Sequence, residues 1–91
     1  MNFNNSVKVT INECNAEVRG YAARFGAGSA ADTAVETYAI TNSTLKSACE
    51  DGDAVIMLRG TADNSTLTLT NTTLVGTIEI ANNAVNAQVS R

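Results

Sequence analysis

Histidine, proline and tryptophan are absent from this chain, and its aromatics amount to two tyrosines and two phenylalanines. Without histidine, the usual general base of a serine or cysteine triad is missing, and zinc would have to be held without imidazole. Cysteine is scarce as well. Cys14 and Cys49 supply neither the four ligands of a structural zinc site nor a C-x-x-C redox pair. Charge is thin: six Lys and Arg against nine Asp and Glu give a net charge of −3. Lys8, Arg19, Arg24, Lys46, Arg59 and Arg91 are scattered, with no basic stripe to neutralise phosphates, so nucleic acid is not an expected partner. No apolar run is long enough for a membrane helix, and Met1–Ser6 has neither the basic nor the apolar segment of a signal peptide. The expectation is a chain made in the cytoplasm, with no membrane partner and two reduced, packed thiols.

What fills the space is Ala, Thr and Asn. Hydrophobic residues make up 44 % of the chain, which is ordinary for a folded domain, but most of them are small. Small side chains bury little area at roughly 25 cal/mol per Å², so a single domain over residues 1–91 is expected to have a thin core. A thin core in a short chain predicts that more apolar surface is covered by copies of the same chain.

The patterning is that of strands. Ala54–Gly60 is the most apolar run, bounded by turn residues on both sides, and reads as a buried strand. Ser65–Thr70 alternates leucine with threonine, and after Asn71-Thr72-Thr73 the alternation resumes through Leu74, Gly76, Ile78 and Ile80. Two alternating runs around a short polar connection predict an antiparallel hairpin. Ser6–Ile11 alternates in the same way, and Thr33–Thr41 is β-branched and aromatic. Residues 16–25 fit a strand, or a helix capped by Asn12 and stopped by Gly26. Ser43–Gly52 reads as one short helix capped by Ser43, and Ala81–Arg91 as an edge strand, a short helix or an arm on a neighbour. The fold expected from these elements is mainly β, a small antiparallel β-sandwich or partly open barrel with one short helix. The alternative is an α+β fold with a helix at about 12–25. The stretch Thr66–Thr77 resembles the rungs of β-solenoids, but no fixed-period repeat is read along the chain.

Candidate motifs are few. Gly26-Ala27-Gly28-Ser29-Ala30-Ala31 matches a dinucleotide-binding pattern, but no apolar strand leads into it and the chain is too short for a doubly wound fold, so it reads as a flexible loop. Glu50, Asp51 and Asp53 gather three carboxylates, the best candidate for a cation or a basic partner, although Ala54 and Val55 stand where a calcium loop would need ligands. Four N-x-[ST] patterns begin at Asn4, Asn42, Asn64 and Asn71, and read as consequences of a Thr- and Asn-rich composition. No residue reads as catalytic, metal-binding or cofactor-binding. An interaction surface is expected at Glu50, Asp51 and Asp53 and on the outward threonines Thr66, Thr68 and Thr70. The function expected is that of a non-enzymatic, self-associating structural protein, such as a phage virion decoration, tail or coat subunit. The alternative is a small cytoplasmic inhibitor or adaptor, such as a phage anti-defence protein that binds a host complex.

Overall fold

A computed structural model describes residues 1–3, 8–26, 36–47, 54–59, 65–81 and 87–91. Eleven strands occupy them: β1 (Asn2–Phe3), β2 (Lys8–Asn12), β3 (Asn15–Val18), β4 (Ala23–Phe25), β5 (Thr37–Thr41) and β6 (Thr44–Ser47) in the first half. They continue with β7 (Ala54–Leu58), β8 (Thr66–Thr70), β9 (Thr73–Val75), β10 (Thr77–Ile80) and β11 (Gln88–Ser90). Each strand pairs with the strand three places on, giving three sheets ordered β1-β4-β7-β10, β2-β5-β8-β11 and β3-β6-β9. Every pairing is parallel. The chain is therefore a three-sided coil: it crosses one sheet, turns into the next, and returns to the first sheet one strand spacing further along the axis.

This corrects the expected antiparallel sandwich or barrel. Ser65–Ile80 is not a hairpin, because β8, β9 and β10 belong to three different sheets. Alternation and a short Asn-Thr-Thr connection serve a coil corner as well as a hairpin turn. In both cases one face of each strand is buried and a left-handed residue turns the chain. The helix expected at Ser43–Gly52 is the strand β6 over its described part, and residues 48–53 lie outside the described residues. The helix at about 12–25 is likewise replaced by β3 and β4, with Gly20 at φ +83° on the corner between them. Ala54–Leu58 is the buried strand expected, and Val55 and Ile56 are fully buried.

A repeat is present after all. Lys8, Thr37 and Thr66 share one column at equal steps along the chain, and Asn15, Thr44 and Thr73 share another with the same step. Inward positions stack as Val9–Tyr38–Leu67–Val89, Ile11–Ile40–Leu69 and Ala16–Leu45–Leu74. The third side breaks the period: the step from Arg24 to Met57 is longer than on the other sides, and the step from Met57 to Glu79 is shorter. Corner lengths vary there while the strands stay paired.

The core lies inside the coil. The scarce aromatics are concentrated: Phe3 stacks on Phe25 at 5.4 Å between ring centroids, and Phe25 on Tyr38 at 4.5 Å. Tyr38 is buried, and its hydroxyl donates to the buried carboxylate of Glu36. Both phenylalanines and one tyrosine thus form one stack, which gives a small-residue coil a dense centre.

Candidate interaction surfaces at the coil ends

A coil of parallel strands differs from a closed barrel in having two ends. At one end, here the upper, β9, β10 and β11 have no strand on their outer side among the described residues; at the lower end the same holds for β1, β2 and β3. The strand residues of the upper edges carry one charge, Glu79. Inward aliphatics are left partly open there: Leu74, Ile78 and Val89 pack against the core from its rim and are only half-buried. Val75 is 44 % exposed and Ile80 47 %. Among the described residues the third sheet has three strands where the other two have four, so β9 lies one strand level below β10 and β11. An open cleft of about 340 Å³ lies there, lined by Leu69, Asn71, Thr72, Thr73, Leu74 and Arg91.

The corner from the second sheet into the third is the most regular part of the molecule. Glu13, Asn42 and Asn71 occupy it in successive turns, at φ +53°, +50° and +48°. Asn visits this left-handed region at little cost, which explains its place in two of the three turns. The amides form a ladder: Asn71 Nδ2 donates to Asn42 Oδ1 at 2.8 Å, and Asn42 Nδ2 to Asn12 Oδ1 at 3.2 Å. Inside the corner, Ser43 Oγ donates to the Thr41 carbonyl at 2.8 Å and accepts from the Cys14 amide at 3.1 Å. Ser43 is thus an interior corner residue and not a helix cap. In the next turn Thr72 Oγ1 donates to the carbonyls of Ile40 and Thr70. Two of the four N-x-[ST] patterns, at Asn42 and Asn71, are consequently the corner of the repeat.

The expected site residues fall in two groups. Thr66, Thr68 and Thr70 do share one outward row on β8, with Leu67 and Leu69 buried beneath. That row is not an edge, because β8 lies between β5 and β11. Glu50, Asp51 and Asp53 lie outside the described residues, as do Cys49 and residues 27–31 of the glycine-rich loop. Cys14 is a free, half-buried thiol. On the outer face of the first sheet, the Tyr21 hydroxyl donates to Glu79 Oε2 at 2.6 Å, and the Arg24 guanidinium lies 5.5 Å from the Tyr21 ring centroid. Tyr21 thereby links the first and last turns across the sheet. The ladder and the open ends escape a reading of the sequence strand by strand. The signal for them is Ile40-Thr41-Asn42-Ser43-Thr44-Leu45 set against Leu69-Thr70-Asn71-Thr72-Thr73-Leu74, one turn further on.

Among the described residues no three His, Cys, Asp or Glu side chains gather as a metal site, and no helix is long and apolar enough to cross a membrane. No protein-family model, curated protein or solved structure matches the chain.

Proposed function

We propose that this protein is a non-enzymatic structural module that associates with further copies of itself through the ends of its coil. The observation that supports this reading most is the upper end, where strand edges with little charge, and with no partner among the described residues, surround half-buried aliphatics. Uncapped edges of this kind pair with other strands unless charge, proline or a covering segment blocks them, and solenoids usually need polar terminal turns to stay apart. In β9 and β11 there is neither charge nor proline. The association surface is thus relocated from the Ser65–Thr70 row to the edges of the first and last turns.

Multi-angle light scattering tests the reading. Wild-type protein should run as species heavier than the 9.5 kDa chain, increasing with concentration. The pair Val75→Lys and Ile80→Lys, placed on exposed side chains of the upper edges, should shift it toward the monomer with unchanged circular dichroism. A wild-type monomer at every concentration would overturn the proposal.

A further inference from the structure

The two ends of the coil differ in chemistry, and the difference decides which end meets which. We infer that a second copy seats head to tail, lower end on upper end, with Glu13 of the second copy facing Arg91. The inference rests on the self-association proposed above and names its partner surface.

Three observations support it. The first is the polarity of the amide ladder. Each Asn donates toward the lower end, so Asn71 Oδ1 faces the upper end with no donor on it among the described residues. Asn12 spends its Oδ1 on Asn42 and on Thr41 Oγ1, which leaves its Nδ2 as the donor of the lower end. A head-to-tail copy, whose Asn12 lies two strand spacings beyond Asn71, keeps the donor-to-acceptor direction of the ladder along the stack; two upper ends would reverse it.

The second is charge. Ser90 pairs in register with Thr68, so Arg91 follows onto the column of Ile11, Ile40 and Leu69. A guanidinium above an aliphatic column is tolerable at an open end, but covering it requires a counter-charge. Two upper ends would meet arginine to arginine. The lower end instead offers Glu13, an exposed carboxylate at the first-turn equivalent of Asn71.

The third is Glu13 itself. It stands in a left-handed backbone position where the other two turns carry Asn. A residue that breaks the local rule of its own repeat, with no side-chain partner among the described residues, is expected at a functional position.

The sheet counts fit this arrangement. If β1 of the second copy adds to β10 and β2 to β11, parallel pairing continues through the first two sheets. The third sheet keeps a gap one strand wide, where the cleft lies. Glu13 then stands about one strand spacing, ~4.8 Å, above the level of Arg91 and a short step along the strand, within reach of both side chains. A heterologous contact of this kind does not close on itself, so the product is an open chain of copies.

A charge swap tests it in sedimentation velocity experiments on the full chain. Arg91→Glu and Glu13→Lys should each weaken association by at least about tenfold, roughly the effect of 1.4 kcal/mol. An equimolar mixture of the two, and the double variant, should recover it, because each then presents opposite charges at contacts the single variants lose. Arg91→Gln should give a smaller loss than Arg91→Glu. Both residues are exposed, and circular dichroism checks that the variants remain folded. Single variants that assemble like wild type, or a double variant that fails to recover, would overturn the head-to-tail contact while leaving self-association standing. A wild-type chain that never associates would overturn both.

Discussion

At the scale of single residues, the corner asparagine ties neighbouring turns of the coil together. Asn42 occupies a left-handed backbone position and holds two side-chain hydrogen bonds, one to the turn on either side. Asn42→Ala removes the bonds and puts a Cβ-bearing residue without a compensating side chain at positive φ. We expect a loss of about 2–3 kcal/mol from these two effects together. Asn42→Gly relieves the backbone and should cost less, about 1 kcal/mol. Urea denaturation distinguishes them; equal losses would contradict a left-handed residue 42. The row on β8 gives a second prediction. Leu69 is buried and Thr68 points outward, so Leu69→Ala should lower stability by about 2–5 kcal/mol and Thr68→Ala by no more than ~0.5 kcal/mol. The same range applies to Ile56→Ala, whose side chain is fully buried.

At the scale of elements, most strands are legible in the sequence and their partners are not. The alternations Lys8–Asn12 and Thr66–Thr70 identify strands because a pleated chain with one buried face must alternate. Buried Ala54–Leu58 is legible from its continuous apolar run. Partner choice is not encoded in that alternation. A parallel coil and an antiparallel meander impose the same inward–outward pattern on each strand, and only comparison of segments a full turn apart separates them. Here that comparison is obscured by the third side, where one long and one short step break the period. Thr44–Ser47 reads as a helix because Ser43 resembles a cap, whereas its hydroxyl serves the corner of the neighbouring turn. Of the candidate site, the outward row at Thr66, Thr68 and Thr70 can be read from period two alone. The open ends cannot, since they follow from which strand is last in each sheet. Gly20 supplies a prediction at this scale. It turns the chain at φ +83° with open space around it, so Gly20→Ala should cost about 1–2 kcal/mol through backbone strain alone, without a clash. A thermal melt unchanged from wild type would show that the corner accepts another geometry.

At the scale of the whole molecule, stability and association share one origin. Each turn of the coil is covered by its neighbours, so inner turns are buried on both sides and terminal turns on one. Tyr38, Ile40, Leu45 and Ile56 in the middle turn are fully covered, whereas Leu74 and Ile78 at the upper end are not. The exposure that weakens the last turn is what a further copy would remove. Strap contacts such as Tyr21 to Glu79 bind the turns to one another on the outside, so Tyr21→Phe should loosen the last turn before the first. Association at the ends must then be felt at the ends. Hydrogen exchange, followed by mass spectrometry from dilute to concentrated protein, measures this directly. Amides of β10 and β11 at one end, and of β1 and β2 at the other, should gain protection with concentration, while β5 and β6 in the middle turn stay unchanged. Protection that is independent of concentration at both ends, or that rises on the Thr66–Thr70 face instead, would contradict end-to-end association.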